Sequence, residues 1–313
     1  MLALARLALK GPYHAASIVG LMAIAAVFLP LMARNSPLVM MTSAILIVMA
    51  SALVGLVILT QGTWSGLKAI IVSIFGITLV TTLVLNAPTF GLSIGLTHWL
   101  PTIILAQTLK SSKSLALMIL TGLALTILLI AVQFSVWPDL ETTLLSVFEQ
   151  TFAGLHDNPE ISSEKVEETI LLMTRWVVLA LVPSMYLLFV GIMLLSRSMQ
   201  AKIADSDGYR HEFHVMALGK SAALAGVVVL ILSGWLNQDW ITSMAIAVLV
   251  AFLYQGIAVV HSKLAANRHK ALIIGIYYAS LIIIFPYVVA ISSMTGIIDN
   301  WLVFRKNRNI EST

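Results

Sequence analysis

The chain has 313 residues, 59% of them hydrophobic and only 10% charged, with 18 Lys and Arg against 14 Asp and Glu and a net charge of +4. Soluble domains carry charge on about a quarter of their residues, so this chain is too poor in polar groups to coat a surface in water, and only lipid as solvent makes the composition sensible. The bases lie in short clusters between apolar runs without a basic aromatic stripe, which argues against a nucleic-acid partner, and the absence of cysteine excludes disulfides, thiolate metal sites and cysteine nucleophiles.

Residues 1–14 carry Arg6 and Lys10 among leucines and alanines, an amphipathic lead-in expected at the cytoplasmic surface. The first apolar run, 15–33, exceeds the roughly 7–15 residues of a signal-peptide core and ends at Arg34. It reads as an uncleaved first span. Apolar runs close to the ~20 residues that a bilayer requires follow near 38–60, 69–86, 89–108 and 114–137, and again near 170–196, 216–236, 240–262 and 271–297. The expectation is an all-α polytopic transmembrane helical bundle of eight to nine spans, one integral membrane domain over 1–313.

Basic residues mark the cytoplasmic side. Starting with the N-terminus inside, Lys68, Lys110, Lys113, Arg197, Lys202, Arg210, Lys263, Arg268 and Lys270 all fall inside. The tail bases Arg305, Lys306 and Arg308 fall outside if there are nine spans. The apolar stretch 271–304 is long enough, at about 1.5 Å per residue, for a span plus a re-entrant or interfacial turn around Pro286 or Gly296. Alternatively, one of the shorter early runs is not a span.

The stretch 138–170 holds eight of the fourteen acids, Asp139, Glu141, Glu149, Asp157, Glu160, Glu164, Glu167 and Glu168, against the single base Lys165. It is expected as an amphipathic, acidic extracytoplasmic loop over 138–169. Leu144, Leu145, Phe148, Phe152 and Leu155 recur at helical spacing. Asn158-Pro159 suits the start of a second helix, whose early glutamates favour a helix N-terminus. Between 197 and 215, Asp205, Asp207, His211 and His214 lack the spacing of a calcium or zinc site; no metal and no cofactor is expected.

Ionisable residues at bilayer depth are functional candidates until explained. Arg175 and Lys220 lie close enough to span ends to snorkel. His98, followed by Trp99 and Pro101, falls mid-run, His261 sits near the end of the eighth run, and Asp299 follows Gly296. Asn86, Gln107, Gln133, Asn237 and Gln255 are the uncharged polar residues suited to hydrogen bonds between helices. No nucleophile elbow, zinc-protease helix or phosphate loop is present, and Ser184 or Ser233 with His98 or His261 has no spacing that singles it out. An enzyme is not expected.

Gln255-Gly256 through His261, followed by Gly296-Ile-Ile-Asp299-Asn-Trp301-Leu-Val-Phe304-Arg305, resembles the YybS-like family of bacterial integral membrane proteins. Gln61-Gly62-Thr-Trp-Ser-Gly66 and Glu212-Phe-His214 fit the same pattern. The family is a domain of unknown function. Its N-terminal half is similar to the substrate-binding membrane components of energy-coupling-factor transporters, although this chain has more spans and its long acidic loop. The resemblance implies a multi-pass protein of the bacterial inner membrane, transporter-like or small-molecule-binding; read from their own placement, Gln255, Asp299, Arg305 and His98 are the candidate polar site. The alternative is an envelope scaffold that meets a membrane-protein partner through the acidic outer loop or the 197–215 inner loop.

Overall fold

The computed structural model describes residues 2–33, 36–156, 162–302 and 304, the side chains of Leu155 and His156 excepted. Among these residues every regular element is a helix. In chain order they are α1 (Leu2–Ala8), α2 (Pro12–Met32), α3 (Pro37–Gln61), α4 (Thr63–Leu85) and α5 (Phe90–Ile94), then a π-helical turn, Gly95–Trp99, leading into α6 (Leu100–Ser112). They continue with α7 (Leu115–Val136), α8 (Leu140–His156), α9 (Ser163–Ile203), α10 (Gly208–Val215), α11 (Lys220–Leu236), α12 (Asp239–Leu264), α13 (Lys270–Ile283) and α14 (Phe285–Leu302). Hydrocarbon offers no hydrogen bonds, so a spanning backbone must pair with itself, and helices do this within one segment.

Among the described residues seven helical segments are long and apolar enough to cross a membrane: α2, α3, α4, Phe90–Ser112, α7, α9 and α12. An eighth forms if α10 and α11, bent by 53° across the short break between them, make one span. The chain is thus an all-helical, multi-pass membrane protein with seven or eight candidate spans, where the apolar runs lead to an expectation of eight or nine. The difference lies at the ninth run. Residues 271–297 form two helices, parted at Ile284, whose φ of −116° and ψ of 41° leave the helical region. Pro286 follows in the first turn of α14, a position where its missing N–H costs nothing and where it disfavours a helix running in from before. With 14 residues, α13 reaches about 21 Å, short of a hydrocarbon core of about 30 Å.

Within 138–169, α8 turns Leu144, Leu145, Phe148 and Phe152 to its half-buried side and leaves Glu141 and Glu149 exposed. The Asn158-Pro159 start lies outside the described residues. Helix α9 carries Glu164 in its first turn and runs unbroken for 41 residues.

The chain packs as two compact units, Met1–Thr121 with Leu188–Met216, and Gly122–Leu187 with Ala217–Thr313. In the first, α3 is the central helix, buried at every residue from Ala50 to Leu59. Helices α2, α4 and α6 pack on it, and α1 lies on α2 and α3 through its buried Ala5 and Ala8. The hydroxyl of Ser73 on α4 donates to the carbonyl of Ala16 on α2 at 3.0 Å. Residues 188–203 of α9 lie along α3, Ser196 Oγ donating to the Ala52 carbonyl at 2.9 Å and Gln200 Nε2 to that of Leu59 at 3.1 Å.

In the second unit the central helix is α12, buried at every residue from Val250 to Val259. Its most extensive partner is α14. The two backbones meet where Gly256 faces the Ser292 carbonyl and Gly296 faces the Phe252 carbonyl, with no room for a Cβ at either place. Small residues are how helices in lipid gain contact, because no hydrophobic effect drives them together. Ser293 Oγ adds a bond of 2.7 Å to the Leu249 carbonyl. Arg175 on α9 pairs with Asp239 in the first turn of α12 at 2.9 Å.

This crossing sets a test. Overpacking costs about 1–3 kcal/mol or more, and each kcal/mol moves the unfolding midpoint by about 2–4 °C in chains of this order. Gly256→Ala is therefore expected to lower the midpoint by roughly 5 °C or more, measured by thermal unfolding in lipid nanodiscs. Gly234→Ala, at an exposed glycine with open space around it, leaves the midpoint unchanged or slightly raised.

Candidate functional site

Two constellations of polar side chains lie inside the helices, one in each unit, and they differ in whether their hydrogen bonds are complete. The first is in the second unit. Gln255 on α12 is fully buried, Asp299 on α14 is 4% exposed and Asn300 beside it 7%. Gln255 Nε2 donates to Asp299 Oδ2 at 3.0 Å, and its Oε1 accepts the Leu218 N–H at 2.9 Å and a longer bond from Asn300 Nδ2 at 3.4 Å. Asn300 Oδ1 accepts the Gly219 N–H at 2.9 Å, while its Nδ2 donates to the carbonyls of Gly296 and Ile297. Asp299 Oδ1 accepts the Phe304 N–H at 3.1 Å, closing the end of α14.

The chemistry of this cluster is that of a brace. The two amides that it captures, Leu218 and Gly219, lead into α11, and Gly219 has a φ of +97°, a conformation suited to glycine. No side chain caps α11 through its N-cap residue, so Gln255 and Asn300 hold the approach to the helix from outside. The structure thus brings together Gln255 and Asp299 as the sequence suggests and adds Asn300, hidden in the sequence beside Asp299. Arg305 lies outside the described residues, and Trp301, next to Asn300, is 45% exposed.

The other resemblance residues shape turns and crossings. Gly62 joins α3 to α4 with a φ of +104°, and the Lys110 ammonium sits over it at a distance that leaves barely enough space for a Cβ. Gln61 Nε2 donates to the Leu9 carbonyl, Gly66 lies against Ile58, and Gly256 and Gly296 make the α12–α14 contact. Of the remaining polar residues, Asn86 and Asn237 end α4 and α11 in the left-handed conformation. Gln107 pairs with Thr63, and Gln133 Nε2 donates to the Val178 carbonyl at 3.0 Å. His261 meets the Tyr278 hydroxyl at 3.0 Å.

The second constellation surrounds His98 in the first unit. Pro101 has no N–H, and its ring excludes the carbonyl four residues back, that of Thr97. The helix widens to accommodate it. The Leu100 N–H reaches five residues back to the Gly95 carbonyl, which makes 95–99 a π turn, a rare local form found mostly as single turns and often at functional sites. Thr102 Oγ1 donates to the His98 carbonyl at 2.8 Å. The turn is seated by Gly91 and Gly95, a Gly-x-x-x-Gly pair whose faces touch Thr78 and Ile74 of α4 so closely that a Cβ would collide.

At this turn Trp99 is fully buried and its Nε1 has no partner among the described residues; nor has His98 Nδ1, whose ring stands edge-on to Phe189 at 6.4 Å. Helix α3 packs against the turn, and on it the hydroxyl of the fully buried Ser51 is likewise unpartnered. The Lys110–Gly62 and Thr63–Gln107 contacts put these groups within about a turn of each other along the two helices. Lys110 sits over Gly62, Trp99 precedes Lys110 by eleven residues and Ser51 precedes Gly62 by eleven. Both stand about 16 Å from that shared end. Elsewhere, buried serine and threonine hydroxyls in the helices bond to carbonyls or to a neighbouring hydroxyl, as at Ser73, Thr81, Thr102, Thr126, Thr174, Ser196, Ser243, Ser292 and Ser293. Among the described residues only Ser43, about 12 Å along α3, shares the condition of Ser51.

Among the described residues no three His, Asp or Glu side chains come together as metal ligands. Asp205, Asp207, His211 and His214 make no such group, and the nearby Glu212 pairs with Arg197 at the α9–α10 contact. Compared with known proteins, the chain matches no family model, no curated protein and no solved structure.

The brace generates its own prediction. An amide stripped of a buried partner loses about 1–3 kcal/mol of protection. Hydrogen exchange at the Leu218 N–H is expected to quicken about tenfold in Gln255→Ala, and at the Gly219 N–H in Asn300→Ala, with amides in the middle of α3 unchanged in both. Equal acceleration everywhere would mean global unfolding and would remove the brace from the account.

Proposed function

We propose that the protein is a transporter-like, small-molecule-binding component of a bacterial cytoplasmic membrane, and that it holds its ligand in the first unit at Ser51, His98 and Trp99. The observation that carries this reading is the group of buried polar atoms there that have no protein partner among the described residues. Leaving a buried donor unmade costs about 1–3 kcal/mol, and a site tolerates such a cost when an occupant removes it. The resemblance to the YybS-like family supports the same reading, because that family is similar in its N-terminal half to substrate-binding transporter components, and the first unit is built mostly of that half. Gln255, Asp299 and Asn300 act in this reading as structure. An envelope scaffold working through 138–169 or 197–215 would leave the π-turn donors without an occupant.

The test is thermal unfolding in nanodiscs against a panel of metabolites. A ligand at a hundred times its Kd adds about 2.7 kcal/mol to stability. A compound that raises the wild-type midpoint is expected to lose most of its effect in Ser51→Ala and His98→Gln and to keep it in Gln255→Ala. The reverse pattern would move the site to the α12–α14 brace.

The same proposal sets the protein with its N-terminus in the cytoplasm and 138–169 outside, in keeping with the distribution of Lys and Arg. Because the chain has no cysteine, single substitutions report cleanly. Glu141→Cys in intact cells with a permeable outer layer should react with a membrane-impermeant maleimide, and Lys202→Cys only after the inner membrane is opened. Labelling of both from one side would reject this orientation.

A further inference from the structure

We propose that the π-turn site selects an uncharged small molecule that offers a hydrogen-bond acceptor, such as a carbonyl oxygen or a ring nitrogen, to the indole N–H of Trp99; this inference rests on the ligand-binding reading above. Three observations lead to it. Indole Nε1 is a donor and never an acceptor, and that of Trp99 is wholly buried without a partner among the described residues. Whatever satisfies it must therefore bring a lone pair. A second donor or a hydrocarbon surface does not serve.

Charge is the second constraint. No Asp, Glu, Lys or Arg occurs in 12–32, 37–61, 69–109 or 188–196, the segments that surround Ser51 and Trp99 in their unit. The nearest cation by contact is Arg197, next to the Ser196 that bonds the Ala52 carbonyl, and it is already paired with Glu212; Lys110 sits over Gly62, about 16 Å along the helix from the site. An ion at the depth of Trp99 would lack a counter-charge, at a cost well above that of a neutral polar group. A neutral acceptor meets no such cost.

The third constraint is the pairing of the remaining atoms. The Ser51 hydroxyl and His98 Nδ1 each can donate or accept, depending on rotor and tautomer. They adapt to the occupant, while Trp99 sets its polarity. The Phe189 ring standing edge-on to His98 at 6.4 Å supplies an aromatic neighbour. The arrangement suits a flat amide or a heterocycle better than a sugar, which would bring more donors than these three groups could pair.

The experiment uses the full chain in nanodiscs, labelled with 15N-tryptophan, and three flat fragments of one size: benzamide, benzoate and benzamidinium. Trp99→Phe assigns the Trp99 indole peak by its disappearance. Benzamide is expected to move that peak downfield and saturably in the millimolar range, with the other indole peaks in place. Ser51→Ala, a small change that leaves the helix intact, should weaken the benzamide effect about fivefold, the equivalent of one hydrogen bond. If benzoate or benzamidinium moves the Trp99 peak in place of benzamide, the site stands and the neutral class falls. If none of the three moves it, the neutral class and the ligand-binding reading at Trp99 fall together.

Discussion

The candidate spanning helices of this protein answer to one constraint: in hydrocarbon a polar group pairs with the protein or with nothing. Water cannot rescue a mistake at mid-membrane depth. The consequence is visible in the side chains as well as the backbone. Hydroxyls that would be solvated on a soluble helix turn back to a carbonyl of the preceding turn, as at Thr81, Thr126 and Thr174, or bridge to a neighbouring helix, as at Ser73, Ser196 and Ser243. Each bond across helices contributes on the order of 0.5–2 kcal/mol. Set against a net stability of roughly 5–15 kcal/mol, a handful of them decides which helices are neighbours.

Because polar bonds are few, shape must do the rest, and here glycine supplies it. Gly256 and Gly296 let the backbones of α12 and α14 meet, and the same proximity is what allows Gln255 to reach Asp299 and Asn300 to reach Gly219. Packing and polarity are thus one device. Were the helices held apart by a methyl group, the 3.0 Å bond between Gln255 and Asp299 would lengthen first, since a side-chain bond in a brace has no slack. Gly91 and Gly95 play the corresponding part in the first unit, pressing the start of the π turn against α4.

The class of the protein was legible in its composition, because the shortage of charge has few physical explanations. The helices were legible from apolar runs near bilayer length, and the half-buried side of α8 from the spacing of Leu144, Leu145, Phe148 and Phe152. The parting at Ile284 was legible only as a possibility, through Pro286 and the excess length of 271–304. What a sequence cannot carry is pairing across forty residues. Gln255 and Asp299 stood out because a polar residue in an apolar run is conspicuous, whereas Asn300 was masked by its charged neighbour. His98 was conspicuous for the same reason as Gln255. Ser51 was not, since one serine among many on apolar helices looks the same whether its hydroxyl bonds back to a carbonyl or not.

That difference separates the two polar constellations, and it turns on magnitude. In the Gln255–Asp299–Asn300 cluster each amide and carboxylate oxygen or nitrogen has at least one partner, so removing the cluster would cost stability and adding a ligand would require breaking bonds worth about 1 kcal/mol apiece or more. At Ser51, His98 and Trp99 the sign reverses. Three polar groups left unmade would together cost several kcal/mol, a large part of the stability of a folded chain, and an occupant that satisfied them would return a part of that amount as affinity. Buried polarity therefore differs in kind between the two constellations: complete, it fixes helices to one another; incomplete, beside a π turn that Pro101 imposes, it leaves the unmade bonds on which the proposed ligand reading rests.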